Sequence, residues 1–206
     1  MRVTERADHW ETLYATAAPT EVSWYQREPA TSLRLIQDLA VEPSASVIDV
    51  GAGEATLVDR LLDLGFTDLT VLDLSQHALT DVRERIGERA RHVSFFHQDV
   101  LTWKPDRQYD IWHDRAVFHF LTERTSRNRY VEIAALAVRV GGSLVLATFA
   151  EDGPTHCSGL PVSRYSAEEL EDAYSGSFSL VAAEREEHVT PSGAVQPFTW
   201  VVLRHT

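Results

Sequence analysis

Ser46-Val47-Ile48-Asp49-Val50-Gly51-Ala52-Gly53-Glu54-Ala55-Thr56 is the stretch on which the reading of this chain turns. Five residues of strand-forming character end on a glycine pair, and a helical pattern follows over 54–64, with Leu57, Val58, Leu61 and Leu62 on one face. A strand that runs through glycines into a helix is a binding device. Glycine lets the backbone come close to a ligand, and the first turn of a helix presents free N–H groups to a carboxylate or phosphate.

Working outward, the pattern repeats. Residues 69–74 read as a second strand, and 76–86 as a helix with Ser75 as its N-cap. Residues 92–96 and 109–113 are a third and fourth strand, 126–138 a helix, and Gly141-Gly142 turns the chain into a fifth strand over 143–149. Strands apolar on both faces belong inside a parallel sheet, and strand–helix alternation winds that sheet with crossovers on both sides. After Phe149 come a helix over 167–174 and strands over 178–183 and 197–203. The turn residues Thr190-Pro191-Ser192-Gly193 between them make these two an antiparallel hairpin. The expected architecture is α/β: a doubly wound, mostly parallel sheet of seven strands with this hairpin at its edge.

The first 40 residues stand outside the alternation, with helical stretches at 9–16 and 29–40 joined by a loop carrying Trp24 and Tyr25. The chain is therefore expected to be one domain over 1–206, a helical cap over 1–40 on a core over 41–206. The net charge of −12 argues against a nucleic-acid partner. The one basic run, Arg83, Arg85, Arg89 and Arg91, is interleaved with Glu84 and Glu88 as on a solvated helix face. No apolar run reaches the ~20 residues of a membrane span. The start, MRVTERADHWETLY, lacks a leader pattern. The single cysteine, Cys157, fits a reducing cytoplasm and leaves no multi-cysteine metal site, and no metal is expected.

A second acidic residue, Asp73, ends the second strand 22 residues after Gly51, where a carboxylate can accept from two ribose hydroxyls. Asp99 follows the third strand and His113 ends the fourth, so Gly51, Asp73, Asp99 and His113 converge at the carboxyl ends of the strands. A dinucleotide dehydrogenase is the rival reading, but its third glycine is here Thr56. Taken together, VIDVGAGEAT, VLDLS, FFHQDV and VGGSLVLATF resemble the motifs of the S-adenosyl-L-methionine (SAM)-dependent methyltransferase family over 46–149. The resemblance implies SAM as cofactor, with Gly51, Ala52 and Gly53 at its methionine end, which Asp49 orders. It further implies Asp73 on the ribose, Asp99 on the adenine amino group, and Leu74 and Val100 sandwiching the adenine. Trp24 in the N-terminal loop is expected to close over the cofactor.

On the acceptor side, His113-Asp114-Arg115-Ala116 is similar to the aspartate–arginine–glycine segment of thiopurine and other thiol methyltransferases, where the arginine helps hold an anionic substrate. Ala116 departs from that pattern. A comparable aspartate–lysine–glycine stretch marks protein-lysine methyltransferases of this fold, and the bland alternative is an Asp114–Arg115 ion pair. The long loop over 151–166 is read as a lid, with Cys157 a candidate thiolate activated by His156. His97, His119 and His188 carry no metal spacing, and Glu168-Glu169 and Glu186-Glu187 read as solvated surface. The function expected is methyl transfer from SAM to a small molecule, a thiol or other soft nucleophile first. The alternatives are a protein-lysine methyltransferase and a non-enzymatic SAM-binding module. No membrane partner is expected.

Overall fold

The computed structural model describes residues 3–206; Met1 and Arg2, where the segment read for a leader begins, lie outside the described residues. A seven-stranded sheet forms the centre. Its parallel part comprises β1 (Ser46–Val50), β2 (Asp68–Asp73), β3 (Val93–His97), β4 (Tyr109–Arg115) and β5 (Val138–Phe149). β8 (Phe178–Val189) and β9 (Val195–His205) are the antiparallel hairpin, added through β5–β9 pairing. The spatial order is β3-β2-β1-β4-β5-β9-β8, so the winding reverses between β1 and β4 and opens a crevice above their carboxyl ends. Apolar side chains from both faces of the sheet form two cores, one around Val47, Leu61 and Val145, the other around Ile48, Trp112 and Leu144.

The helices are α1 (Val3–Thr16), α2 (Ala30–Asp38), α3 (Leu57–Asp63), α4 (Gln76–Ile86), α5 (Arg124–Ala137) and α6 (Ala167–Tyr174). α4 starts as expected, because the Ser75 hydroxyl accepts from the Ala78 N–H. α6 begins with a capping box built from Ser166 and Glu169. α3 starts three residues later than its pattern suggested, because 51–56 stay in turns around the glycines. Gly141 and Gly142 lie inside β5 rather than before it, in a bulge between the Tyr109↔Val138 and Ile111↔Ser143 pairs. A Cβ on Gly142 would sit 2.9 Å from the Asp110 and Arg139 carbonyls, so only glycine fits between those backbones. Within the loop over 151–166 a small hairpin forms, β6 (His156–Cys157) against β7 (Leu160–Pro161). No helix among the described residues is long and apolar enough to cross a membrane.

Candidate active site

The crevice holds two chambers, of about 800 and 690 Å³, each open to solvent at its mouth. Asp73, Leu74, Asp99 and Val100 line the first, with Trp10, Phe120 and Cys157 across from them. Ser32, Asp49, Ala52, Glu54 and His113 line the second, with Tyr25 and Gln26 from the N-terminal loop. Tyr14, Trp24, Gly51 and Arg115 border both and form the partition.

In the first chamber the strand-end carboxylates are held by the backbone. Asp73 accepts from the N–H groups of Gly53 and Ser75, each at 2.8 Å. Burial pushes its carboxyl up to about 6, with nearby Asp49 adding and the two N–H donors opposing. Asp99 accepts from the Leu101 N–H at 2.9 Å, and its other oxygen pairs with Arg6 of α1 at 2.8 Å. Gly51 and Gly53 have φ of +64° and +51°. A Cβ on Gly51 would lie 2.0 Å from the Val117 side chain, and one on Gly53 2.1 Å from the Tyr14 hydroxyl. Both glycines are therefore required by close approach as well as by conformation.

The carboxyl end of β4 divides its work by strand alternation. Arg115 faces the partition, where its Nη1 donates to the Trp24 carbonyl at 3.1 Å and its guanidinium lies 4.6 Å over the Phe198 ring. Its Nε and Nη2 are buried without a partner, and burial draws its pKa down to about 10. Asp114 lies on the other side and borders neither chamber. It accepts from the Val117 and Phe118 N–H groups and from the Tyr130 hydroxyl. This corrects the expectation that Asp114 shapes the acceptor site: it braces the turn after β4. The alternative reading, an ion pair between Asp114 and Arg115, does not hold either, since the two side chains leave opposite faces and Asp114 takes its donors from Val117, Phe118 and Tyr130. Ala116 has φ +74°, so alanine keeps the left-handed backbone that glycine would adopt freely, at a cost of about 1 kcal/mol.

Cys157 does reach the first chamber, but the thiolate reading is corrected. Burial pushes its thiol up to about 12, and the Arg115 charge offsets this only in part. His156 is exposed, with its ring against the Thr155 hydroxyl, and lends no activation. Ser158 and Gly159, both at positive φ, turn the small hairpin, and Ser158 meets His9 of α1 at 3.4 Å. Trp24 borders both chambers and packs edge-on against Trp10 and Tyr14.

Sequence reasoning passed over three residues that line the site, Arg6, Tyr14 and Ser32, and a fourth, Glu186, that holds the cap beside it. Glu186, read as solvated surface, accepts from Gln26, Thr31 and the Trp200 indole N–H, tying the N-terminal cap to the sheet. His97 bonds the Leu74 carbonyl and His188 the Ser23 carbonyl. Among the described residues no group of three or more His, Cys, Asp or Glu could hold a metal ion.

A family model described as a methyltransferase domain matches residues 47–142. The mouse eEF1A lysine and N-terminal methyltransferase is 28% identical over 154 residues, and its human counterpart 24% over 153. The match takes in 70% of this chain but only 21–22% of those relatives, so the chain spans about a fifth of their length. Among solved structures, a SAM-dependent methyltransferase from Anabaena variabilis superposes with a TM-score of 0.76 at 18% identity, covering 99% of this chain and 95% of that one. The N-methyltransferase NodS from Bradyrhizobium japonicum, in complex with S-adenosylhomocysteine, superposes at 0.70 with 16% identity, covering 97% of each chain. Residues 47–142 thus match a methyltransferase domain, and the chain shares its fold with a solved SAM-dependent methyltransferase.

Proposed function

We propose that this chain transfers the methyl group of SAM to a small acceptor that carries an anionic group, and that Arg115 holds that group. The observation that carries the reading is the buried guanidinium at the partition with two unpartnered donors. Burial draws the Arg115 pKa down to about 10 although the Glu186 carboxylate opposes it, so the charge is only partly compensated, and a bound anion on the two free donors would offset the remaining cost.

The first chamber fits the nucleoside half of SAM. It combines a carboxylate with free lone pairs (Asp73), a second carboxylate one strand over (Asp99), and apolar walls at Leu74 and Val100. In this reading Asp73 holds the ribose, Asp99 the adenine amino group, and Gly51 and Gly53 the methionine end. SAM supplies an electrophilic methyl on a sulfonium. The protein's part is to orient the acceptor in line and exclude water, which Tyr14, Trp24 and the 151–166 lid do by closing the partition. Cys157 stays a protonated, apolar contact. We place the reaction in a reducing cytoplasm, where a lone thiol persists.

A protein-lysine acceptor is the second reading, favoured by the activity printed in the names of the mammalian relatives. Arg115 weighs against it, because an ammonium would meet a buried like charge at the partition that Glu186 only partly compensates.

Calorimetry should show SAM and S-adenosylhomocysteine binding in the micromolar range and no binding of NADH. Arg115→Ala should raise the acceptor KM about 10- to 100-fold, the worth of one charge-assisted contact, with SAM affinity within about twofold of wild type. Equal loss of both would make Arg115 a structural residue. Labelled methyl on protein rather than on the small-molecule fraction of a lysate would establish the lysine reading instead.

A further inference from the structure

The cleft is divided where a cofactor is continuous. In the reading above, the nucleoside half of SAM takes the first chamber and its methionine end the glycine turn, whose Gly51 and Ala52 line the second. Between the chambers stand Tyr14, Trp24, Gly51 and Arg115, and a single ligand has to pass them. Two side chains of α1 occupy its contact positions. Arg6 Nη2 lies 2.8 Å from Asp99 Oδ2, the carboxylate oxygen not engaged by the Leu101 N–H. The Tyr14 hydroxyl fills the hollow at Gly53, 2.1 Å from where a Cβ would stand. Trp10 lies between them, four residues from each, so one face of one helix reaches both ends of the cofactor site.

α1 is also the part of the cap that can withdraw. α2 is pinned from below: the Ser32 hydroxyl lies 3.0 Å from His113 Nε2, and His113 Nδ1 2.7 Å from Asp49 Oδ1. The loop is pinned through the Ser23 carbonyl, 2.7 Å from His188 Nε2, and through Gln26, which donates to Glu186. Residues 17–22 lie between α1 and these anchors. Among the described residues their hydrogen bonds are local, Ala17 to Leu13, Glu21 to Ala18 and Tyr25 to Val22. α1 itself is tied by Glu11 to Ser75 and His77 and by His9 to Ser158, besides the Arg6 contact. Arg6 Nε is buried without a partner, so the guanidinium is incompletely satisfied where it stands.

Resting on the cofactor assignment above, we propose that α1 is an internal occupant of the SAM site. Arg6 and Tyr14 hold the places of the adenine amino group and the methionine end until the cofactor displaces them. Displacing Arg6 exchanges a charge-assisted hydrogen bond to Asp99 for a neutral one, so part of the binding free energy of SAM goes into moving the helix. The loss falls on ligands that need the Asp99 oxygen and spares those that do not. S-inosylhomocysteine belongs to the second kind. It carries a carbonyl oxygen where adenine has its amino group, so it offers Asp99 no amino donor and accepts from Arg6 instead.

The test measures S-adenosylhomocysteine and S-inosylhomocysteine side by side, affinity by calorimetry and association by stopped-flow fluorescence of Trp10 and Trp24, which line the first chamber. Arg6→Ala frees Asp99 and, alanine being the best helix former, keeps α1. It should tighten S-adenosylhomocysteine about three- to tenfold and speed its association. It should not tighten S-inosylhomocysteine, whose oxygen then faces the bare carboxylate. Arg6→Lys keeps a charge beside Asp99 and should stay nearer wild type than Arg6→Ala. Tyr14→Phe empties the hollow at Gly53 and should speed the association of both ligands. Unchanged or weaker S-adenosylhomocysteine binding in Arg6→Ala would make Arg6 a bystander or a clamp, and equal gains on both ligands a general loosening of the helix. Either result overturns the proposal, and unaltered association in Tyr14→Phe removes Tyr14 from it. If neither wild type nor Arg6→Ala binds S-adenosylhomocysteine, the cofactor assignment itself is at fault.

Discussion

Asp114 and Arg115 are neighbours in sequence with opposite surroundings, because successive side chains of a strand leave by opposite faces. One meets backbone N–H groups and Tyr130, the other the partition of the cleft. Asp73 shows the same dependence on surroundings through its ionisation. Its carboxyl is raised from 3.8 to about 6, first by burial. Accepting two ribose hydroxyls requires the carboxylate, so SAM affinity should be flat above pH about 6.5 and fall by up to tenfold per unit below about 6. The sign for stability is the reverse of the common salt-bridged case. The folded state holds this proton more tightly than the unfolded chain, so the penalty from Asp73 is full above about 6 and vanishes below about 4. Calorimetric titrations of SAM from pH 5 to 8 check the affinity, and Asp73→Asn should abolish both the affinity and its pH dependence. A pH-independent affinity would mean that Asp73 does not hold the ribose.

At the scale of elements, the N-terminal cap is the part whose attachment decides whether there is an enclosed site. α1 presents Arg6, Trp10 and Tyr14 to the first chamber, spaced four apart and so on one face. Glu11 fastens the same helix to the start of α4 through the Ser75 hydroxyl and the His77 N–H. The following loop and α2 depend on Glu186, which receives three donors from three places. Glu186→Ala leaves the Trp200 indole N–H buried without an acceptor, and should cost about 1–3 kcal/mol of stability. It should also speed proteolysis within 17–29 and weaken SAM binding, because Trp24 loses its seat. Limited proteolysis with and without SAM reads this out. Cleavage unchanged from wild type would show that the loop is held by its aromatic packing alone.

For the molecule as a whole, cap and sheet share one cleft and one apolar core in which Leu35, Ile36 and Trp24 pack with the strands. We propose that they form one domain and melt in one cooperative transition. SAM at 100 times its dissociation constant should then raise the stability of that whole unit by about 2.7 kcal/mol. Calorimetric scanning that resolved a separate cap transition would divide the chain in two.

What the sequence determined by itself is the part built from neighbours along the chain. The β1 glycine turn, the Ser75 cap and the Asp73 strand end are each decided by residues within a few positions, so pattern and propensity suffice to read them. The four strand-end motifs in register carried the sheet and the cofactor family for the same reason. Boundaries failed where a distant backbone intervened, as at Gly142, pressed between two strands, and in β8, whose length is set by pairing with β9. The tertiary structure alone decided the long-range contacts around the cleft. Ser32 and His113 are 81 residues apart, Arg6 and Asp99 93, and Gln26 and Glu186 160. No local propensity encodes such pairs, because their energy exists only once loop closure has brought them together. The same holds for charge state. The Cys157 thiol and the Arg115 guanidinium look reactive and paired as letters, but burial makes one inert and leaves the other with donors to spare.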